Sequence, residues 1–261
     1  MTSDLLLEER DGAVLILRLN RPQTKNALSR ELTNALGAAL AAGAKDVTVR
    51  AIVLTGSGGS FCSGVDLKEA AQDIATGSEL AQRIENFHAI VREIVDAPQP
   101  VIAAVDGPAV GFGADLCLAC DLRLLSERAY LQEKFVAIGL MPDGGGTFFL
   151  PRLLGLGKAL EVLLLGEALS ASAALALGLA SKVVPSEELE PSVLELARRL
   201  AAGPPLALSA IKHATRRALS GDLPSALAAE KRGQLRLLAS ADVREGVAAF
   251  LEKRAPSFRG Q

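Results

Sequence analysis

The sequence predicts an α/β fold in which a largely parallel sheet is covered by helices, and two observations predict it. Short apolar runs that end in turn residues alternate with longer stretches of helical periodicity through the first 155 residues or so. Beyond Gly155 the chain becomes rich in Ala, Leu, Glu and Arg, with Pro204-Pro205 and Pro224 as punctuation, which predicts a helical C-terminal region. The expected division is a core over residues 1–200 and a helical region over 201–261.

Each element has its own signal. Ala13 to Leu19 ends at Asn20-Arg21-Pro22, Ala51 to Thr55 at Gly56, and Val101 to Val105 at Asp106-Gly107-Pro108; Leu122 to Leu125 is a fourth such run. Continuous apolar runs of this length suit strands buried on both faces. Between them, Ser29 to Ala42 begins with a capping serine, and Glu79 to Val95 carries apolar residues at Leu80, Ile84, Phe87, Val91 and Ile94. In the tail, Lys182 to Pro185 is the one strand-like piece. Val243 to Lys253 has a helical stripe through Val243, Val247, Phe250 and Leu251.

Composition narrows the function classes. The 261 residues are 49% hydrophobic and 22% charged, with 28 Lys and Arg against 30 Asp and Glu, so the net charge of -2 argues against nucleic acid as the main partner. No uninterrupted run of about 18 apolar residues is present, which predicts no membrane span. The segment MTSDLLLEERDG lacks the basic, apolar and small-residue parts of a secretory leader, and the expected location is cytoplasmic. Cys62, Cys117 and Cys120 are an odd number without a framework of spacings, so free thiols are expected. Cys117 and Cys120 form a C-x-x-C without a second ligand pair, which favours packing over zinc. His88 and His213 are the only histidines, leaving little for metal chemistry or a Ser-His triad.

Two glycine-rich turns carry the chemistry. Thr55-Gly-Ser-Gly-Gly-Ser-Phe-Cys-Ser-Gly-Val-Asp-Leu-Lys-Glu69 follows a strand. A dinucleotide fingerprint fails because Phe61 stands where its last glycine belongs, and no serine there sits in G-x-S-x-G. Asp106-Gly-Pro-Ala-Val-Gly-Phe-Gly-Ala-Asp-Leu116 is a second such turn, opening a helix whose first amides lack partners. Two such turns face to face could direct two backbone N–H groups at one developing oxyanion, each worth about 3 kcal/mol. Ordinary tight turns are the competing reading of the same glycines.

Several segments resemble the enoyl-CoA hydratase/isomerase (crotonase) family, in the family's order. They are Arg21-Pro-Gln-Thr-Lys-Asn-Ala-Leu28, Phe61-Cys-Ser-Gly-Val-Asp-Leu67, Pro100-Val-Ile-Ala-Ala-Val-Asp-Gly107, Gly111-Phe-Gly, Cys120-Asp-Leu-Arg, Gly139-Leu-Met-Pro-Asp-Gly-Gly-Gly-Thr147 and Glu245 to Arg254. The resemblance runs nearly end to end. It implies a spiral of ββα turns with two sheets, then a helical trimerisation region, in a homotrimer or dimer of trimers. It also implies an acyl-CoA thioester as the ligand, with coenzyme A as part of the substrate and no separate cofactor. The oxyanion hole would be the amides of Val65 and Phe112; Phe112 stands where the family commonly has glycine. The nucleotide would lie along Thr24, Lys25, Ser63, Asp66 and Leu67, with Phe250 and Lys253 nearby.

The reaction is less settled by this resemblance than the binding. Family hydratases use two glutamates; here those positions hold Asp115 and Phe135, and Phe135 cannot move a proton. Asp115 could equally be an acid complementing a helix dipole. Asp143, in Pro142-Asp-Gly-Gly-Gly, matches the acidic residue of members that shift double bonds, and a single carboxylate can shuttle a proton beside a held enolate. An Asp-Gly turn is its structural alternative. Asp143 with His88 also matches the aspartate and histidine of the family's aroyl-CoA dehalogenases, which have Trp where this chain has Phe135. The expected activity is an acyl-CoA isomerase using Asp143, with a hydratase using Asp115 as the alternative. A non-catalytic CoA-ester or partner-binding relative is the alternative of another class.

Overall fold

The computed structural model describes residues 4–77 and 79–261, so residues 1–3 of the segment read for a leader lie outside it. Its first strands, β1 (Leu6–Asp11) and β2 (Val14–Leu19), form an antiparallel hairpin around Asp11-Gly12. Next come α1 (Arg30–Lys45), β3 (Ala51–Gly56), α2 (Leu67–Thr76) and α3 (Leu80–Asp96). Two turns of strand, strand, helix follow: β4 (Val101–Val105), β5 (Pro108–Val110) and α4 (Phe112–Ala119), then β6 (Leu122–Ser126), β7 (Tyr130–Gln132) and α5 (Gly146–Leu154). The chain continues through α6 (Leu156–Leu165), β8 (Leu169–Ser170), α7 (Ala171–Ala176) and β9 (Lys182–Val184). It ends in α8 (Ser186–Ala201), α9 (Pro205–Ala218), α10 (Leu223–Leu238) and α11 (Ala241–Glu252).

The larger sheet has the order β1-β2-β3-β4-β6-β9, parallel except for β1. Its central strands are apolar on both faces because both faces are covered. Leu15, Leu17, Ile52 and Leu54 enter the main core, whereas Val14, Ile16, Val53 and Ile102 enter a second cluster closed by Leu189, Val193 and Ala197 of α8. The smaller sheet, β5-β7-β8, is the second sheet that the resemblance implies, but neither its strands nor β1 show as strand signals in the residues. Its strands are two or three residues long, too short for periodicity to register. In β1 only Leu6 is buried, so its exposed LEER stretch shows no apolar run.

Two expected helical stripes sit differently in the structure. On α3 the inward residues are Arg83, Phe87, Ile90 and Ile94, while Leu80 and Ile84 are exposed. Asp73 of α2 pairs with Arg83 at 2.7 Å and draws that arginine, not the leucine, against the core. On α11 the buried residues are Asp242 and Ala249, and Val247, Phe250 and Leu251 face outward.

Helix α9 is fastened to the sheet by a buried ion network. Lys212 Nζ lies 2.8 Å from Asp121 Oδ2 and donates to the carbonyls of Ile94 and Gln99 at 2.9 and 3.0 Å. Arg216 meets the other Asp121 oxygen at 2.7 Å, and Val101 N donates to Asp121 at 2.8 Å at the start of β4. Burial lowers the Lys212 pKa, so its charge depends on this carboxylate. Asp121→Asn is expected to lower the unfolding free energy by about 3–5 kcal/mol, and Lys212→Met by less, because only the former strands a buried charge. Urea denaturation at one fixed protein concentration measures both.

Candidate active site

Strands β3 and β4 run in parallel register, with Thr55 opposite Ala104, so their carboxyl ends deliver the two glycine-rich turns side by side. Backbone hydrogen bonds then join the turns directly: Cys62 N donates to Pro108 O at 3.0 Å, and Val110 N to Cys62 O at 2.9 Å. No side chain fits between them. A β-carbon on Gly113 would lie 2.3 Å from Cys62 O, and one on Gly64, whose φ is +95°, 2.8 Å from Val110 O. Glycine is therefore required at both positions by close approach, and at Gly64 by conformation as well.

This contact sets the Val65 and Phe112 amides beside each other. Leu28 bridges to the chain around Val65 through Leu28 N to Gly64 O and Asp66 N to Leu28 O, which leaves Val65 N out of the pairing. Phe112 is the first residue of α4, where amides have no partner within the helix; the turn's bonds begin with Ala114 N to Gly111 O. Among the described residues neither Val65 N nor Phe112 N donates a hydrogen bond. The point at which a Gly64 β-carbon would sit is 3.6 Å from Phe112 N.

Most residues expected along the coenzyme A path are brought together. Ser63 N donates to Lys25 O and Ser63 Oγ to Thr24 O, both at 2.9 Å. Asp66 caps α2 by accepting from Lys68 N at 3.1 Å, and pairs with Arg21 at 3.0 Å. Burial works against the Asp66 charge, but Arg21 and the amides of Lys68 and Glu69 outweigh it and hold this carboxyl below its ordinary range. Leu67 beside it is exposed. Asn26, missed in the sequence, ties the two segments: its Nδ2 donates to Ser57 O at 2.9 Å and to Ser60 O at 2.7 Å. Phe250 and Lys253 are not part of this cluster. Their helix is secured through its C-terminal extension, where Phe258 O accepts from Arg50 just ahead of β3, at the end of that strand away from the glycine turns. Phe250 is 83% exposed.

Three carboxyl groups, not two, gather behind the Phe112 turn. Asp115 on α4 is fully buried and its Oδ2 accepts from Gly144 N at 2.9 Å. The loop lies directly on it, since a β-carbon on Gly144 would meet Asp115 Cβ at 2.6 Å and the Phe112 ring at 2.7 Å. Burial first, then the charge of Asp143, raises the Asp115 pKa to about 7 against the amides of Gly144 and Gly146. Asp143 is only partly buried, and its Oδ1 has no hydrogen-bond partner. Burial raises the Asp143 pKa; its own amide, His88 and Arg83 oppose the rise. The third group is Glu133, buried just after β7 and held well above the carboxylate range by burial, then by Asp115 and Asp143. Inward Leu131 two residues earlier in a strand was the available sign that Glu133 also points in.

An aromatic wall completes the site. The Phe87 and Phe112 rings lie 4.4 Å apart, Arg83 sits over Phe87 at 5.9 Å, and Phe135 is buried where a β-carbon on Gly111 would meet its ring at 3.8 Å. Cys117 and Cys120 are both buried, and burial pushes the Cys117 thiol up to about 12, as expected of packing residues.

An acid whose folded pKa is raised binds its proton more tightly in the native state, so its contribution is full below the unfolded pKa and is lost as pH rises through the folded one. With Asp115 moving from 3.8 to about 7, the melting temperature is expected to fall between pH 5 and pH 8. Asp115→Asn should make that decline shallower; scanning calorimetry across the pH series measures it.

Comparison with known proteins shows the family and the fold. A family model described as enoyl-CoA hydratase/isomerase matches residues 9–261. A probable enoyl-CoA hydratase of Rhodobacter capsulatus is 43% identical over 97% of both chains, and the 1,2-epoxyphenylacetyl-CoA isomerase of Escherichia coli is 38% identical over 99% of both. The crystal structure of an enoyl-CoA hydratase from Bacillus anthracis superposes with a TM-score of 0.94 at 34% identity, over 98% of this chain and 100% of that one. The spiral of strand, strand, helix turns with its helical C-terminal region is the crotonase fold, and the chain belongs to the enoyl-CoA hydratase/isomerase family.

Proposed function

We propose that the chain is an enoyl-CoA isomerase that moves a proton within an acyl-CoA thioester, with Asp143 as the acid and base. The Val65 and Phe112 amides receive the thioester oxygen. Because both are fixed by backbone contact, they need no reorganisation as negative charge develops there. Asp143 removes a proton beside the thioester, the amide pair stabilises the enolate, and the same carboxyl returns the proton at another carbon. The observation that carries this reading is the division among the carboxyls: of the three, Asp143 alone belongs to a residue that is partly exposed, while Asp115 lies fully buried under the loop, engaged with Gly144 N. Likeness to the 1,2-epoxyphenylacetyl-CoA isomerase supports the same choice.

Hydration is the second reading, favoured by the hydratases among the relatives. It would require Asp115 to reach substrate water from beneath Gly144, without help from Phe135. Thr24, Lys25, Ser63, Asp66 and Leu67 are proposed to follow the coenzyme A moiety. Outward apolar residues on α5, α6 and α11, among them Phe148, Leu160, Leu164 and Phe250, fit the expected homotrimer, in which they would be covered.

Asp143→Asn is expected to lower the isomerisation kcat by about 10²–10⁴-fold while acyl-CoA affinity by titration calorimetry stays within a few-fold. Hydration of 2-enoyl-CoA at an undiminished rate in this variant would reject the assignment to Asp143. In the unchanged protein, activity should fall on the acid side at a pH above the ordinary carboxylate range, since the base must be ionised and its pKa is raised. Gly113→Ala, which forces the two turns apart, should reduce kcat by about 10²–10³-fold, read in the same assay.

A further inference from the structure

Glu133 takes no part in the chemistry proposed above, and among the described residues it is the one carboxylate with both oxygens buried and without a hydrogen-bond donor. No cation offsets it. Arg123, the nearest guanidinium on the α4 side, is committed to the carbonyls of Leu179 and Cys120, and Arg83 and His88 of α3 act on Asp143. The remaining titratable neighbours are Asp115, Asp143 and Cys117, none of which is basic. The cavity beside Glu133 holds about 10 Å³, at the lower limit for one water, and apart from Glu133 itself Gln132 is the one polar residue in its lining, its amide nitrogen already donating to Gly166 O. An ionised carboxylate so placed would lose its hydration with nothing in return.

A carboxyl that keeps its proton has an O–H to donate. One acceptor in the vicinity also lacks a partner within hydrogen-bond geometry: Asp115 Oδ1 is buried, with the Gly146 amide acting on this carboxyl only from nearby. Both oxygens converge on the same point, for a β-carbon on Gly146 would lie 2.6 Å from Asp115 Oδ1 and 3.1 Å from Glu133 Oε1. Gly146 thus leaves room for the two groups to meet, and the donor missing from one is the donor the other can supply.

We propose that Glu133 is a positioning residue that stays protonated at neutral pH and donates its O–H to Asp115 Oδ1 across Gly146, clamping from below the loop that carries Asp143. Asp115 then has a donor on each oxygen, Glu133 on Oδ1 and Gly144 N on Oδ2. The pair carries at most one negative charge. Asp143 is left as the carboxyl free to exchange a proton with substrate, and on this point the proposal rests on the reading of Asp143 given above.

Infrared difference spectroscopy of the unliganded protein at pH 7 tests the proton. A protonated-carboxyl C=O band is expected, and Glu133→Gln should remove the Glu133 component of it, leaving the component that titrates with Asp115 at about pH 7. Absence of the band, or its survival unchanged in that variant, overturns the proposal. Kinetics test the clamp. The Gln amide can still donate to Asp115, so Glu133→Gln should keep kcat within about fivefold, whereas Glu133→Leu, which cannot donate, should lose about 100-fold at little change in KM. Unfolding by urea should find the Leu variant less stable than Glu133→Gln, since Leu leaves the buried Asp115 Oδ1 without a donor whereas the Gln amide can still supply one. Equal impairment of the two variants, or none in either, overturns the clamp. If Asp143→Asn proves fully active, the reading of Asp143 fails by itself, and the infrared band still decides the state of Glu133. If Glu133→Leu does not fold, the wild-type and Glu133→Gln spectra decide the matter.

Discussion

The backbone contact between the turn at Cys62–Gly64 and the turn at Pro108–Gly113 is the constraint from which the rest of the site follows. Its hydrogen bonds are those of a parallel bridge, continued beyond the carboxyl ends of β3 and β4 between the Cys62 turn and the short strand β5. The parallel register of those strands brings the turns level, and the doubly covered sheet makes that register stiff. Because the turns touch through main chain, side chains are excluded from the contact, and Gly64 and Gly113 are the residues that permit it. Two amides that sheet pairing and helix bonding pass over, those of Val65 and Phe112, are left adjacent.

That origin explains what could be read from the residues and what could not. The buried strands were visible because doubly covered strands need unbroken apolar runs, and the glycine turns because their spacing is tied to their function. The hairpin strand β1 and the small sheet left no mark, being either exposed or two to three residues long. The stripe of α3 was misjudged at its first turns because hydrophobicity alone cannot anticipate an arginine drawn inward by Asp73. On α11 the stripe is real but faces away from its own chain. Glu133 escaped notice for a related reason: a buried acid shows itself through its neighbours in space, and Asp115 and the loop at Gly146 are far from it in sequence or hidden behind a turn.

Charge is distributed by depth. At the surface turn, Asp66 is paired with Arg21 and kept ionised; one layer in, Asp73 is held between Arg30 and Arg83. Behind the Phe112 ring the cations stop, and Asp115 and Glu133 face only each other and Asp143. In such a setting acids retain protons, because burial penalises the charge and no partner compensates for it. Asp143 stands at the boundary. Burial raises its pKa, and its own amide, His88 and Arg83 limit the rise.

Binding and reaction therefore depend on different parts of this chain. The two amides proposed to hold the thioester oxygen belong to the main chain, so Phe112 keeps its amide whatever its side chain. Reaction depends on where a carboxyl with a free oxygen can reach. The family contains hydratases and isomerases at similar identity to this chain, 37% for a 2,3-dehydroadipyl-CoA hydratase and 38% for a 1,2-epoxyphenylacetyl-CoA isomerase. With Phe135 buried and unable to move a proton, and Gly144 covering Asp115, the partly exposed Asp143 on the loop is the carboxyl on which the proposed proton transfer depends.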